Sequence, residues 1–325
     1  MTVETASPVP ATTGAAPGRT EAPGTAEPER PAEATPGLIS LADWRSPGIR
    51  RRVRLVHGAM LILLVVWGLF PLLWLAKASI TPTQETIKNP LQLWPSTPDW
   101  DNLHFAWFKL NLALYFKNTV VIAVGSWLTQ LFIATTAGFV LSVLKPAYAK
   151  LLNALVVATL FIPSVVLLIP LYLTIQRLPV IHTSLMNQYW AIWLPAGASA
   201  FNVLLVKRFF DNLPREIFEA AHVDGAGPLR LFWSIVLPMS KPILGVVSLF
   251  AFISAWRDFL WPYLVLQKTQ LQPLSVRLNL LQRSHTEYDV FLAALFLSTL
   301  LPVVLFLMFQ RFFLRGSGLS GALKG

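Results

Sequence analysis

The chain of 325 residues contains no cysteine and only five histidines, which lie scattered along it. The lack of thiols excludes disulfides, thiolate metal sites and cysteine nucleophiles, and the isolated histidines build no metal-ligand pattern. Charge is scarce too. Only 13% of residues are charged against 54% hydrophobic, too few to solvate the surface of an ordinary soluble domain. The basic excess, formally +10, sits at the ends of apolar segments and forms no continuous stripe, which argues against nucleic acid as a partner. No G-x-x-x-x-G-K-[ST] phosphate loop occurs, and the run Leu319–Gly321 (LSG) is too short for an ATPase signature. Carboxylates are not clustered for acid–base or metal chemistry either. Asp99 with Asp101 and Glu287 with Asp289 are short pairs that read as solvated loop residues, which weakens the rival reading of an integral-membrane enzyme acting on lipid-linked sugar.

What the chain has instead is apolar length. Residues 1–40 form an Ala/Pro-rich tail whose first 37 residues contain no Leu, Ile or aromatic side chain, so they bury too little to offset ordering entropy and are expected to be disordered. A basic segment, 41–56, follows, with Trp44 among arginines as suits a stretch lying against anionic headgroups. Six apolar segments come next, near His57–Ala76, Asn118–Leu144, Leu151–Ile175, Leu185–Val206, Ile243–Leu266 and Val290–Gln310. Each has about the 20 residues needed to cross roughly 30 Å of hydrocarbon. The predicted fold is all-α, a polytopic membrane bundle of six transmembrane helices over 57–325.

Lys and Arg set the orientation. With the N-terminus cytoplasmic, seventeen of the 26 basic residues fall inside, eight outside, and one, Arg257, within the fifth span. Arg50, Arg51, Arg52 and Arg54, next to the first span, weigh most. Both termini are therefore predicted cytoplasmic, in a plasma or inner membrane. Five of the six spans carry proline, at Pro71, Pro163 and Pro170, Pro195, Pro262 and Pro302. Each frees a carbonyl that lipid cannot satisfy, so kinks with partners from elsewhere are expected. The second span has Gly125, Ala134 and Gly138 instead, which permit close helix approach.

Between the fourth and fifth spans lies a polar cytoplasmic loop, about 208–241, reading KRFFDNLPREIFEAAHVDGAGPLRLFWSIVLPMSKP from Lys207. Asp211 or Asn212 is predicted to cap a helix with Pro214 and Glu216 in its first turn. Gly225 is predicted to end it at positive φ, and Pro228 to start a second short helix that stops before Pro238. Ile217, Phe218 and Ala221 share a face at i,i+3 and i,i+4 spacing. Two readings stay open: a ridge that docks on a partner with Phe218 as anchor, or a hairpin folded back on its own bundle.

The loop resembles that of permease subunits of ATP-binding-cassette importers, which carry an EAA, three residues, a Gly and a later Leu-Pro. The match falls on Glu219, Ala220, Ala221, Gly225, Leu237 and Pro238, and the fuller run EAAHVDGAG is similar to the carbohydrate branch. Further likeness lies in FIPSVVLLIPLYLTIQRLPVIHTSLMN, WRDFLWP and the closing GSGLSGALKG, together most like the six-span member of a maltose-type pair. The resemblance implies a coupling helix that touches the ATPase through Phe218, Glu219, Ala220, Ala221, Asp224 and Gly225. It also implies a second permease of different sequence, two ATPase subunits and an extracytoplasmic solute-binding protein, besides membrane lipid. ATP and Mg2+ would bind the ATPase, leaving this chain without a cofactor and without catalysis of its own. The expected cargo is a sugar, with a polyol or a phosphorylated or acidic sugar as the alternative.

Arg257 and Asp258 fall inside the fifth span, where charge is tolerated only beside water or a partner. As sequence neighbours they diverge around a helix and are not expected to neutralise each other. One reading is a polar translocation path in which Asp258 accepts hydrogen bonds from sugar hydroxyls and Trp256 or Trp261 stacks on the ring. The other is a structural ion pair with another helix. The resembling family usually has Asn at the place of Arg257. Gln130, Asn187, Gln188 and Asn202 are weaker polar candidates, read first as packing groups.

Overall fold

The computed structural model describes residues 47–284 and 286–318, whose regular structure is helical, with no strand among them. The tail 1–40 and most of the closing GSGLSGALKG lie outside the described residues. The chain divides into two compact units, one up to Val65 and one from Val66 onward. Within the first, helix α1 (Pro47–Ala78) begins, and its residues Leu55 to Val65 are largely apolar and exposed. Of the predicted basic segment 41–56, the part from Pro47 onward is thus helical.

The second unit contains the rest. Helix α2 (Thr83–Lys88) and α3 (Asp101–His104), which runs into a π turn at Phe105–Lys109, follow α1. Helix α4 (Leu112–Phe139) continues through a π turn at Val140–Leu144. Next come α5 (Ala149–Thr159), α6 (Ser164–Gln176), α7 (Trp190–Gly197), α8 (Ala200–Asp211) and α9 (Arg215–Val223). The order closes with α10 (Pro228–Leu231), a π turn at Phe232–Val236, α11 (Leu237–Met239), α12 (Lys241–Arg257), α13 (Leu260–Val265), α14 (Leu274–Arg283) and α15 (Tyr288–Gly318).

By length and composition, α1 from Arg51 and α4 with its π turn can each cross a bilayer. Three bent pairs bring the number to five. The predicted third span is not one kinked helix: α5 and α6 meet at 107°, and α5, with 11 residues, rises only about 16 Å. The fourth starts at Trp190 rather than Leu185 and bends by 44° between α7 and α8. The fifth is interrupted. Its helix α12 stops at Arg257, Asp258 turns extended (φ −67°, ψ 125°), and α13 resumes at Leu260.

Helix α4 is the hub, packed against α7, α8 and α12. It threads three apolar clusters: Leu112 and Tyr115 with Leu274, Ala293 and Ala294; Ile122 with Ala191, Ile192, Trp261 and Val265; and Ala134 and Phe139 with Val206, Phe210, Phe232 and Val247. The small residues make this possible. A Cβ on Gly125 would run into the Trp193 ring, and one on Gly138 would come within 2.9 Å of the Val206 side chain. One proline-freed carbonyl finds its donor across the fold. Pro195 cannot donate to the Ala191 carbonyl, and the Trp261 indole N–H does so instead at 2.9 Å. The Asp258 carbonyl, left outside both helices at the break before α13, takes its donor from the Ser275 hydroxyl at 2.8 Å.

Candidate coupling helix and polar path

The loop that carries the EAA sequence grows out of α8. Past Val206 the helix turns charged, which marks its exit from the apolar span. There Lys207 Nζ reaches Asp211 Oδ2 at 2.6 Å, the one ion pair among the described residues. Ser142 Oγ, in the π turn that ends α4, donates to the other Asp211 oxygen at 2.7 Å. Burial would raise the Asp211 carboxyl, but the hydrogen bonds from Lys207 and Ser142, with the Lys207 charge, outweigh it and hold its pKa below the usual value. The ends of α4 and α8 are thereby locked together just before α9 begins.

Asp211 consequently does not cap α9. It closes α8, Asn212 is the C-terminal residue after it, and Pro214 stands at the N-cap of α9 with no side-chain cap. Glu216 does occupy the first turn, where the helix dipole favours it. The far end matches the prediction. Gly225 has φ +72°, its N–H bonds the His222 carbonyl, and the Ala226 N–H bonds the Ala221 carbonyl at 2.9 Å. That pair of bonds is a Schellman motif, which satisfies two carbonyls that would otherwise be orphaned. Pro228 opens α10, but the helical run passes Pro238 within α11 and stops at Ser240, before the 80° turn into α12.

The two faces of α9 are distinct. Phe218 and Ala221 turn inward onto Phe210, Leu213 and Phe232. Glu219, Ala220, Asp224 and Gly225 are exposed. Helical spacing places Glu216, Glu219, Ala220 and Val223 on one outer face, and Val223, 88% exposed, is its apolar element. The sequence reading passed over Val223, although the i, i+3, i+4, i+7 series from Glu216 points to it. A cavity of 210 Å3 lies under the helix, lined by Ser142, Lys145, Asp211, Phe218, Glu219 and His222 among others.

The four residues of the candidate path are placed differently from one another. Arg257 ends α12, exposed and without an ion-pair partner among the described residues. Asp258 is half-buried at the break and accepts the Trp261 backbone N–H at 3.4 Å. Trp256 is half-buried, stacked on Phe252 at 5.6 Å and edge-on to Phe116 at 6.0 Å. Trp261 is buried in the cluster with Ile122 and Ile192, its N–H committed to Ala191, so its ring offers no free face. The weaker candidates serve packing. Asn202 Nδ2 donates to Gln130 Oε1 at 2.7 Å between α8 and α4; Asn187 bonds Val265 and Lys268 through the backbone of each; Gln188 bonds the Ser184 carbonyl. Of the acidic pairs, Asp289 is buried rather than solvated, exchanging bonds with Thr83 through both backbone N–H groups. The described residues contain no group of three or more His, Cys, Asp or Glu that could hold a metal ion.

Residues 130–316, more than half of the chain, match the family model described as "Binding-protein-dependent transport system inner membrane component". The chain belongs to this family. It is 31% identical over 258 residues to the arabinooligosaccharides transport system permease protein AraQ of Halalkalibacterium halodurans, covering 78% of this chain and 91% of that one. It is 30% identical to the diacetylchitobiose uptake system permease protein NgcG of Streptomyces coelicolor, over 80% of this chain and 86% of the relative. The sn-glycerol-3-phosphate transport system permease protein UgpE of Pectobacterium atrosepticum is 29% identical, with 82% and 96% covered. The fold is shared with a chain of a bacterial ABC transporter involved in the import of the acidic polysaccharide alginate, at a TM-score of 0.69, 21% identity, and 82% and 98% coverage. As a member of the family the chain is a non-catalytic permease subunit of an ATP-driven importer in the inner membrane. It works with an ATPase and a solute-binding partner.

Proposed function

We propose that the chain is the six-span permease of a sugar importer, both termini cytoplasmic, paired with a second permease of different sequence and driven by two ATPase subunits. Helix α9 is the coupling element, with Glu219, Ala220, Asp224 and Gly225 toward the ATPase and Phe218 and Ala221 holding it to the bundle. ATP and Mg2+ stay on the partner. The observation that carries this is the mechanical continuity at the base of α9. A helix closed by a Schellman motif leaves directly from the Ser142–Asp211–Lys207 junction that ties α8 to the hub helix α4. A displacement of α9 thus reaches the centre of the bundle through groups with little slack. ATP-driven closure of the ATPase supplies the differential interaction that shifts the pore between its inward- and outward-facing states.

The relatives named for arabinooligosaccharides, diacetylchitobiose and glycerol 3-phosphate support a sugar or polyol cargo. One observation favours an acidic or phosphorylated one: Arg257, a guanidinium with no ion-pair partner among the described residues, stands at the break between α12 and α13 and is suited to bidentate binding of carboxylate or phosphate. The test is to purify the intact transporter with its solute receptor and identify the receptor's ligand by mass spectrometry, then compare uptake by wild type and Arg257→Asn. A carbohydrate or polyol ligand is expected, with the variant losing preference for the anionic member. An amino-acid or peptide ligand would overturn the cargo, and an identical uptake profile would remove Arg257 from the path.

A further inference from the structure

We infer that the outer loop Asn89–Trp94 is a membrane anchor whose apolar side chains rest among the lipid headgroups of the outer leaflet, beside the end of α1. Depth is set by a hydrogen bond. The indole N–H of Trp74 donates to the Pro90 carbonyl at 2.8 Å, and Trp74 stands four residues before the end of α1 at Ala78, about 6 Å down the helix axis. The loop is therefore folded back alongside the outermost turns of the first span instead of rising away from the membrane.

Its backbone is fixed in that position. The Glu85 carboxylate accepts both the N–H and the hydroxyl of Ser96, at 2.8 and 3.0 Å, and Gln92 Nε2 donates to the Trp94 carbonyl at 2.8 Å. The Asp99 N–H closes the far end on the Ile80 carbonyl. So clamped, the loop presents Leu91 at 77%, Leu93 at 89% and Trp94 at 62% exposure. A short loop with polar groups paired internally and its largest apolar groups outward is unfavourable in water and suited to a layer that is apolar on one side. Trp is the residue type most at home there, and the exposed Lys88 adds a cation for anionic headgroups. The patch also continues the exposed apolar flank of the last turns of α1, Leu69, Phe70 and Leu73.

The absence of cysteine makes the test direct. Leu93→Cys and Leu91→Cys, each carrying a nitroxide spin label, are assembled into the complete transporter in vesicles of phosphatidylethanolamine and phosphatidylglycerol, with the unsubstituted complex as background. Collisions with oxygen, which concentrates in lipid, are compared with collisions with a water-soluble nickel chelate, and uptake confirms assembly. A severalfold excess of oxygen collisions at both positions is expected. Nickel collisions as frequent as for a free label in solution would overturn the assignment, including the case in which added solute-binding protein then shields the label. A label immobilised and closed to both reagents would overturn it too, because the patch would be covered by protein.

Discussion

Gly225 has nothing within 4 Å of the place where a Cβ would be, yet its φ of +72° excludes most side chains. A substitution there acts on backbone conformation alone, at about 1–2 kcal/mol and more for a β-branched residue. Gly225→Val is expected to fray the end of α9 and reduce uptake and receptor-stimulated ATPase activity, with the bundle still inserted. Gly225→Asn should fall between it and wild type, because asparagine tolerates this conformation. Equal uptake in all three would show that the turn is not needed for coupling. Trp261 tests a different kind of dependence. Trp261→Phe keeps most of the ring but leaves the Ala191 carbonyl without a donor, since Pro195 has none to offer. A loss of about 1–3 kcal/mol follows, read as earlier thermal unfolding of the purified complex; an unchanged transition would mean that another donor takes over. The open carbonyl was legible from Pro195 alone. Its answer was not, because the donor lies 70 positions away from Ala191 and only the packing of α13 on α7 brings it there.

Among the elements, α4 carries the sharpest contrast. Gly125→Ala would drive a methyl into the Trp193 ring, whereas Gly245→Ala, in α12, meets nothing within 4 Å. The first is expected to destabilise the complex by about 1–3 kcal/mol. The second is expected to be neutral or to stabilise by up to about 1 kcal/mol, because it only removes a flexible residue from a helix. Thermal unfolding of the two variants in the same detergent decides it, and an equal response would contradict the close α4–α7 crossing. The small residues of this helix were readable as approach points because composition states what can come near. Bend angles were not. Pro163 and Pro170 announce a disturbance in the third apolar segment, but whether it amounts to a slight kink or to the observed 107° depends on what the halves pack against. The start of α9 was misread for a related reason: Asp211 has the chemistry of an N-cap, and the competing Lys207 and Ser142 contacts claimed it for the end of α8.

At the scale of the whole molecule, the lengths of the apolar segments made the membrane class legible and the distribution of Lys and Arg an orientation, and the family match secures the former. Sidedness follows as a prediction. With the ATPase that would cover α9 absent from the cells, Val223→Cys, at the exposed end of α9, should react with a membrane-impermeant maleimide only in inverted vesicles, and Gln267→Cys, beyond α13, only in intact cells. The reverse pattern would invert the protein. Where a span is opened, by Pro195 in α7 or by the break after α12, the gap is closed from another segment: Trp261 of α13 answers α7, and Ser275 of α14 answers the break. Neither joint can flex without pulling on the neighbour that latches it, so α7, α12 and α13 should swing as one stiff panel during the transport cycle, hinged at the Ser199 corner that leads into α8 and the Ser240 corner that precedes α12 rather than at the latched joints.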